Sequence, residues 1–337
     1  MRAGIVGASG YLGAELVRVL AGHPDLEVCV LQGESSAGRS FGELYPGLAC
    51  AAKGLVIGAL DCVVLESCDV VFIALPAGAS QGIVRELVGK VRCIVDLGAD
   101  FRLKDPALYE QWYGFAHTAP ELLSRAVYGL PELNRAALVG ADLIAAPGCY
   151  VTAASIALAP LVAHAVIEDR AIIIDAASGT SGAGHVPSAT SHFATVNENF
   201  VAYKVLEHRH TPEIEQTIGA NVVFIPHLAP MTRGILATCY GRATHPTSTK
   251  DVLDLLSTSY EDEPFVHIGE APPATRDAYG SNNVFMSARY DERTGTVVVM
   301  SALDNLTKGG AGQALQAANI ALGIEETTGL SVIGLNP

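Results

Sequence analysis

The fold of the first part of the chain is decided by the stretch Gly4-Ile5-Val6-Gly7-Ala8-Ser9-Gly10-Tyr11-Leu12-Gly13. The apolar run at residues 3–6 is typical of a buried strand, and a helical pattern follows at residues 12–21. Glycines at this spacing permit a tight turn and let a pyrophosphate approach the N–H groups of a helix N-terminus. A plain structural turn is the alternative. The candidates for cofactor contact are Gly7, Ser9, Gly10, Tyr11, Leu12 and Gly13.

Short apolar runs and helical patterns alternate through the rest of the first third of the chain. Strands are predicted at residues 26–31, 70–75 and 93–97, with a helix at 80–88. Alternation at this spacing is typical of a parallel sheet wound on both faces by helices. We therefore expect an α/β fold in which a Rossmann-type, doubly wound parallel sheet occupies a dinucleotide-binding domain at residues 1–148.

The loop after the second strand bears on the choice of cofactor. Gln32 stands where enzymes that use NAD often have Asp or Glu for the ribose 2′-OH. The hydroxyls of Ser35 and Ser36 and the guanidinium of Arg39 suit a 2′-phosphate, which favours NADP. Glu34 argues in the opposite direction, and a solvated polar loop is the alternative interpretation.

The pattern changes after residue 148. A long buried helix is predicted at residues 151–163, with a break near Pro160 because proline cannot donate a helical hydrogen bond. Strand-like runs then follow one another, and residues 291–295 form a hairpin turn. We expect a second, α+β catalytic domain with a mixed or antiparallel sheet at 149–305. The C-terminal segment at 306–337 contains a predicted helix at about 310–323. The predicted strands are 171–175, 222–225, 234–240, 265–268, 284–290 and 297–303.

One of the seven cysteines has the setting of a nucleophile. Cys149 follows Pro147-Gly148 and would lie at the N-terminus of the long helix. A helix N-terminus stabilises a thiolate, and its N–H groups can hold an oxyanion. The other cysteines lie mostly in apolar runs and form no C-x-x-C pair, and the total of seven is odd. We therefore expect free thiols in a reducing compartment rather than a disulfide framework.

A thiol nucleophile needs an acid–base partner, and the segment from Lys204 to Glu213 offers His208 and His210. If the segment is extended, the two imidazoles share one face, and a helix begins near Pro212. Either histidine could be the base. A His-x-His pair can also bind metal, but no third ligand is indicated, so no metal is expected.

Charge and hydropathy restrict the partners. The formal net charge of −14 disfavours nucleic acid and anionic membranes. The uncharged stretch 150–167 contains Pro160 and His164, so it predicts a buried helix rather than a membrane span. We recognise no signal peptide and expect a cytoplasmic enzyme.

Further motifs occur in one order along the whole chain, and together they resemble the N-acetyl-γ-glutamyl-phosphate reductase family of the semialdehyde dehydrogenase superfamily. The family acts in arginine biosynthesis. The motifs are Gly7-Ala8-Ser9-Gly10-Tyr11-Leu12-Gly13-Ala14-Glu15-Leu16, Asp96-Leu97-Gly98-Ala99-Asp100-Phe101-Arg102, Tyr128-Gly129-Leu130-Pro131-Glu132-Leu133, Pro147-Gly148-Cys149-Tyr150, Ser178-Gly179-Thr180-Ser181-Gly182-Ala183-Gly184, His208-Arg209-His210-Thr211-Pro212-Glu213, Pro226-His227-Leu228, Pro230-Met231-Thr232-Arg233-Gly234 and Lys308-Gly309-Gly310-Ala311-Gly312-Gln313-Ala314.

The resemblance implies NADPH-dependent reduction of an acyl phosphate to a semialdehyde through a cysteine thioester, with a small-molecule substrate, in a homodimer or homotetramer. It implies Cys149 as nucleophile and His210 as base, with His208 nearby. The substrate contacts that it implies are Arg102, which would meet the phosphate, Arg209 and Glu213. The nicotinamide contacts that it implies are Ser181, Gly182 and Asn305. It also implies that the helix of the C-terminal segment returns to the nucleotide domain.

Three other functions compete with this one. A lysine-pathway reductase would act on a substrate one methylene longer, and one methylene is worth only about 1–3 kcal/mol in a pocket. A non-catalytic nucleotide sensor would not need Cys149 or the paired histidines. A thiol acyl hydrolase would not need the glycine-rich turn.

Overall fold

The computed structural model describes residues 1–52, 54–189 and 191–335, and the chain folds as two compact units. The first unit comprises Met1–Pro147 with Gly310–Leu330, and the second comprises Gly148–Gly309 with the described residues from Ser331 onward. The strands are β1 Arg2–Val6, β2 Glu27–Gln32, β3 Val70–Ile73, β4 Cys93–Asp96, β5 Val127–Tyr128, β6 Leu143–Ala145, β7 Ile172–Ser178, β8 Val201–Ala202, β9 Val222–Leu228, β10 Ile235–Arg242, β11 Val266–Ile268, β12 Val284–Asp291 and β13 Thr296–Leu303.

Helices connect these strands, and most of them are short. A π-helical turn at Thr307–Ala311 precedes the last helix. The helices are α1 Tyr11–Leu20, α2 Phe41–Leu44, α3 Ala49–Ala52, α4 Cys62–Leu65, α5 Gln81–Leu87, α6 Ala107–Tyr113, α7 Pro131–Leu138, α8 Cys149–Ala163, α9 Phe193–Val196, α10 Thr211–Ile218, α11 Thr249–Ser259 and α12 Gly312–Leu322.

The sheet of the first unit is parallel and has the strand order β2-β1-β3-β4-β6-β5. The predicted doubly wound parallel sheet is therefore confirmed. Strand β2 pairs with one edge of β1, and the chain then crosses over so that β3 pairs with the other edge. The strand order therefore reverses at β1. In open α/β sheets, ligands bind at the carboxyl ends of strands beside such a reversal. The turn at Gly7 occupies that position.

The core of the first unit joins its N-terminal strand to its last helix. Ala3 and Ile5 of β1, Leu16 of α1 and Leu315 of α12 belong to one buried apolar cluster. Helix α12 packs against α7, β4 and α1. Of the predicted C-terminal segment 306–337, residues 336 and 337 lie outside the described part of the chain.

The sheet of the second unit has the order β11-β12-β13-β10-β7-β9-β8. The pairs β7–β9 and β11–β12 are parallel, and the other pairs are antiparallel, which confirms the predicted mixed sheet. The hairpin turn predicted at residues 291–295 joins β12 to β13. Gly295 takes a positive φ of 67° there, which a residue without a Cβ adopts without strain.

Helix α8 is buried along most of its length and packs against β10 and β13. The break predicted near Pro160 is wrong, because the helix continues to Ala163. Proline leaves the carbonyl four residues earlier without its helical donor. The hydroxyl of Tyr260 donates to that carbonyl, Ile156 O, at 2.6 Å, so the missing bond is replaced.

Candidate active site

In the first unit, the glycine-rich turn has no room for side chains. Gly7 follows β1 with a φ of +82°, and a Cβ placed on it would lie 2.9 Å from the Ala74 carbonyl carbon. A Cβ on Gly13 would lie 2.6 Å from Ala8 Cα, so α1 packs tightly against the turn. Gly10 precedes α1 in an extended conformation, and no side chain caps the helix. The N-terminal amides of α1 are therefore not occupied by a cap, as a pyrophosphate site requires.

The other residues predicted in this turn lie around the same helix start. The carbonyl of Ser9 accepts a hydrogen bond of 2.7 Å from the hydroxyl of Tyr45, which holds the turn from outside. The side chain of Tyr11 is exposed, and Leu12 packs partly against the core. Tyr45 thus supports the turn from outside, while the ring of Tyr11 is exposed.

The loop after β2 contains the residues that bear on the choice of cofactor. Gln32 is buried and exchanges hydrogen bonds with the backbone of Asp61 (3.0 and 3.2 Å). The carboxylate of Glu34 accepts from the Leu60 amide at 3.3 Å. Ser35 and Arg39 are exposed, and Ser36 is half-buried. The acidic side chain thus has a backbone partner, while Ser35 and Arg39 face solvent.

Arg102 is half-buried in the first unit and is held by backbone carbonyls. Its Nε donates to Ala146 O and its Nη2 donates to Leu97 O, both at 2.8 Å. Asp96 lies nearby, fully buried, and burial together with the charge of Asp100 raises the pKa of Asp96 to about 7. The Arg102 cation partly opposes that rise.

In the second unit, Cys149 is the first residue of α8, as predicted. Gly148 before it is extended, with φ −69° and ψ 147°, and no side chain caps the helix. A Cβ on Gly309 would lie 2.8 Å from Cys149 Cβ, so the absence of a side chain at Gly309 lets the backbone pass close to Cys149. The thiol therefore stands at a helix N-terminus with amide groups around it.

The imidazole of His210 lies against Gly148, the residue that precedes Cys149. A Cβ on Gly148 would lie 2.7 Å from Cε1 and 2.8 Å from Cδ2 of that ring. The segment that carries both histidines is a turn rather than the extended chain considered above, because it leads directly into α10. The rings of His208 and His210 still meet, with centroids 4.6 Å apart.

His208 differs from His210 in its environment. It is buried, and burial, with smaller effects of Lys204 and Arg209, lowers the pKa of His208 to about 3. Its Nδ1 accepts from the His210 amide at 3.1 Å, so the neutral ring carries its proton on Nε2. His208 therefore stays neutral at physiological pH and fixes the backbone of His210.

Aromatic rings enclose His208. Tyr150, Tyr203 and Phe224 contact it edge to face, with centroids 5.3–5.8 Å away. The Tyr203 hydroxyl donates to that of Tyr150 at 3.3 Å, and Tyr150 donates to His227 O at 3.0 Å. Burial raises the pKa of Tyr203 to about 12, so the phenol stays protonated. These rings keep water away from His208.

The two other residues expected to bind substrate near this turn differ in exposure. Glu213, in the first turn of α10, is fully buried, and its Oε1 accepts from the Gly148 amide at 2.9 Å. Arg209 is exposed. Glu213 thus ties α10 to the backbone immediately before Cys149, while Arg209 faces outward.

The structure brings together the three residues expected at the nicotinamide. Asn305 Nδ2 donates to Ser181 Oγ at 2.9 Å, and Asn305 Oδ1 accepts from the Gly234 amide at 2.7 Å. A Cβ on Gly182 would lie 3.8 Å from Asn305 Nδ2. We call Ser181, Gly182 and Asn305 the amide wall.

Sequence reasoning assigned no role to an ion pair beside this wall. Arg233 donates through Nε and Nη2 to Asp304 Oδ1, at 3.2 and 3.0 Å. Arg233 lies in the motif Pro230–Gly234 noted above, and Asp304 directly follows the last strand, but spacing alone does not show that they meet. Within the described residues, no group of three or more His, Cys, Asp or Glu could hold a metal ion. In that same part of the chain, every helix is too short or too polar to cross a bilayer.

These features define the class of protein, a dinucleotide-binding enzyme with a reactive thiol. The first unit has a glycine-rich turn at the reversal of a parallel sheet, which is where a dinucleotide binds. The second unit presents a cysteine at a helix N-terminus and an imidazole beside the preceding glycine, a combination suited to nucleophilic acyl chemistry.

The family follows from comparison with known sequences. The profile "Semialdehyde dehydrogenase, NAD binding domain" matches residues 2–141, and "Semialdehyde dehydrogenase, dimerisation domain" matches residues 149–305. The chain belongs to the semialdehyde dehydrogenase family of oxidoreductases. It therefore carries a domain for a nicotinamide dinucleotide and a domain through which the family assembles.

Full-length relatives share the sequence closely. The chain is 48% identical over 348 residues to the N-acetyl-gamma-glutamyl-phosphate reductase of Desulforudis audaxviator, covering 100% of both. It is 47% identical over 351 residues to the protein of that name from Pelotomaculum thermopropionicum, covering 100% of this chain and 99% of the relative. The reductase of that name from Geobacillus kaustophilus is 45% identical over 345 residues, with 100% of both covered.

Solved structures share the fold at low identity. Aspartate semialdehyde dehydrogenase with NADP from Candida albicans has a TM-score of 0.70 and 18% identity, covering 95% of this chain and 97% of the other. Aspartate semialdehyde dehydrogenase II complexed with ASA from Vibrio cholerae has a TM-score of 0.70 and 16% identity, covering 95% and 98%.

Proposed function

We propose that the chain reduces N-acetyl-γ-glutamyl phosphate to N-acetylglutamate 5-semialdehyde and phosphate, with NADPH as reductant, as a step of arginine biosynthesis. The observation that carries the proposal is the placement of Cys149 as the first residue of α8, with the His210 ring against Gly148. The names of the full-length relatives support the same substrate.

Residues of the second unit would carry out the covalent steps of the reaction. His210 accepts the proton of the Cys149 thiol, and the thiolate attacks the γ-carbonyl carbon. The carbon–oxygen bond to phosphate breaks, inorganic phosphate leaves, and a thioester remains on Cys149. The amides at the start of α8 stabilise the oxyanion of each tetrahedral intermediate. When the aldehyde forms, the carbon–sulfur bond breaks and His210 returns the proton to the sulfur.

The residues of the first unit fit a dinucleotide. A Cβ at Gly7 or Gly13 would fill the space between the turn and its neighbours, and the uncapped start of α1 offers amides to a pyrophosphate. The cofactor, when bound, supplies the hydride that brings the thioester to the aldehyde level. Ser35, Ser36 and Arg39 would bind the 2′-phosphate of NADPH.

Other site residues receive proposed roles. Arg102 would bind the substrate phosphate, and the exposed Arg209 would meet another anionic group of the substrate. Glu213 is bonded to the Gly148 amide and fully buried, so we assign it to positioning the backbone before Cys149 rather than to substrate contact. Ser181, Gly182 and Asn305 would line the nicotinamide.

Each part of the chain also receives a proposed task. Residues 1–148 would bind the cofactor, and 149–305 would carry the thiol chemistry. Of the C-terminal segment 306–337, Gly310–Leu330 would complete the nucleotide domain, because residues 306–309 and the described residues from Ser331 onward belong to the second unit. Seven thiols, one of them a proposed nucleophile, suit the reducing cytoplasm.

We also propose a homodimer through the second unit. Helix α8 covers one face of the mixed sheet, whereas Ile173 and Val223, paired in register on β7 and β9, are 41% and 37% exposed. Tyr240 pairs with Ile173 on the neighbouring strand β10. An apolar strip across three strands, within the family's dimerisation domain, fits a second copy of the chain.

The proposal is tested by NADPH oxidation with two acyl phosphates. N-Acetyl-γ-glutamyl phosphate and its analogue one methylene longer are compared for wild type and for Cys149→Ser. We expect turnover of the shorter substrate, a lower kcat/KM for the longer one, and no turnover by Cys149→Ser despite retained NADPH binding. A higher kcat/KM for the longer substrate would establish the lysine-pathway function instead, and a fully active serine variant would exclude the thioester.

A further inference from the structure

The buried pair Arg233–Asp304 organises several separate segments of the second unit. Asp304 is fully buried, and the Arg233 side chain is only 15% exposed. A buried carboxylate is costly unless a cation and hydrogen-bond donors compensate its charge. Arg233 supplies the cation, and it stands immediately before Gly234 at the entry to β10.

The carboxylate of Asp304 collects donors from two stretches of backbone. Oδ1 accepts from the amides of Leu306 and Thr307, at 2.9 and 3.1 Å. Oδ2 accepts from the Gly280 amide at 2.7 Å. Arg233 also contacts the turn at residues 304–309 directly, because its Nη2 donates to Thr307 Oγ1 at 3.0 Å. Asp304 and Arg233 together therefore fix the shape of the turn at 304–309.

That turn supports both parts of the proposed chemistry. Gly309 donates its amide to Asp304 O at 2.8 Å, and its Cα lies close to Cys149. Asn305, next to Asp304, holds Ser181 through its side-chain amide. The side-chain oxygen of Asn305, Oδ1, accepts from the amide of Gly234, the residue after Arg233. One ion pair thus fixes the amide wall and the backbone close to Cys149 at once.

We infer that Arg233 and Asp304 are positioning residues that hold the amide wall and Gly309 in register with Cys149, and so set the alignment for hydride transfer. The inference rests on the proposed reductase function. Neither side chain needs to touch substrate or cofactor, because each acts through Asn305 and Gly309. Arg233→Met should therefore lower the rate of hydride transfer, with a smaller effect on the affinity for NADPH or for the acyl phosphate.

The experiment compares Arg233→Met and the conservative Arg233→Lys with a matched control. Arg135 forms an equally direct two-point pair with Glu326 in the first unit (2.9 and 3.0 Å), remote from the amide wall in sequence, so Arg135→Met controls for loss of a half-buried ion pair. The measurements are kcat, KM, the Kd for NADPH, and the primary deuterium isotope effect on kcat with NADPH labelled at the transferred hydrogen.

We expect Arg233→Met to lower kcat by about 10²-fold, the scale of a small misplacement of reacting groups, with a larger isotope effect and an unchanged Kd for NADPH. Arg233→Lys should fall between this variant and wild type, because lysine keeps the charge but not the two-point geometry. Arg135→Met should lower the melting temperature and leave kcat and the isotope effect unchanged. If Arg233→Met and Arg233→Lys lose only thermal stability, like the control, the positioning role is excluded.

Two further measurements separate this inference from the proposed function. If Arg233→Met does not fold, Arg233→Lys and Thr307→Val replace it, the second because it removes the bond from Arg233 Nη2 to Thr307 Oγ1. If the wild type does not reduce the acyl phosphate, the proposed function fails. The positioning role is then judged by amide hydrogen exchange of residues 305–309 and by the rate at which iodoacetamide alkylates Cys149. Faster exchange and an altered alkylation rate in these variants would support it, and wild-type values for both would overturn it.

Discussion

The His210 ring packs against Gly148 so closely that a Cβ at Gly148 would lie 2.7 Å from His210 Cε1. Gly148 has a φ of −69°, which any residue can adopt, so it is the imidazole and not the backbone that requires glycine here. This contact places the proposed base beside the peptide that leads into Cys149. The position of His210 is therefore coupled to the start of α8.

Gly148→Ala should displace His210 and lower kcat by about 10²-fold, because a misplaced base loses alignment with the thiol. NADPH binding, measured by fluorescence titration, should not change. Gly22→Ala is the control, since a Cβ there meets no atom within 4 Å. An active Gly148→Ala variant would show that the ring can move without consequence.

His210→Asn should lower kcat by about 10²–10⁴-fold, the usual contribution of a general base. It should also shift the pH midpoint of Cys149 alkylation upward, because an imidazolium no longer stabilises the thiolate. His208→Asn should cost much less, since an amide oxygen can accept from the His210 N–H in place of Nδ1. His208→Leu, which cannot accept that bond, should cost more than His208→Asn. If His208→Asn moves the midpoint and His210→Asn does not, the two roles are reversed.

Most of the fold could be predicted from the sequence because local patterns decide it. The strands at both ends of the chain and the turn at Gly7 follow from periodicity and glycine spacing. The sequence does not predict β5 and β8, whose two residues carry too little periodicity, and it also misses the three-residue β6. The continuity of α8 through Pro160 depends on Tyr260, which is distant in sequence, so no local pattern could indicate it.

The candidate site was predictable by residue type but not by arrangement. Cys149 stood out because Pro147-Gly148 precedes a helix. His208 differs from His210 because Tyr150, Tyr203 and Phe224 bury its ring, and of these three only Tyr203 is close to His208 in sequence. The Arg233–Asp304 pair joins residues 71 positions apart, so only the folded chain reveals it.

Arg39→Ala should weaken NADPH binding far more than NADH binding, because only NADPH carries the 2′-phosphate. Arg39 is exposed, and Glu34 in the same loop is bonded to the Leu60 amide. The Kd values of both cofactors, measured by fluorescence titration at two salt concentrations, give the result. Equal weakening of both cofactors would mean that the loop does not select between them.

The pH dependence of stability should change when Asp96 is replaced. The pKa of Asp96 is raised from its ordinary value of 3.8 to about 7 in the folded chain, chiefly by burial. The native state therefore keeps this proton when the unfolded chain has lost it, and the free energy of unfolding falls as pH rises from about 4 to 7. Asp96→Asn should remove that fall, so its stability relative to wild type should increase between pH 5 and pH 8. The opposite trend in urea unfolding would contradict the raised pKa. His208, whose lowered pKa acts in the opposite direction, is common to both proteins and cancels in the comparison.

The most direct test of the account is to look for the thioester. Wild-type protein is mixed with N-acetyl-γ-glutamyl phosphate in the absence of NADPH, quenched in acid, and examined by intact mass and peptide mapping. We predict a release of phosphate equivalent to one acyl group per chain, with the acyl group on Cys149 and none in Cys149→Ser. Addition of NADPH before the quench should remove the adduct and yield the semialdehyde. Turnover with NADPH, but without acylation of Cys149 at any time in its absence, would contradict the mechanism.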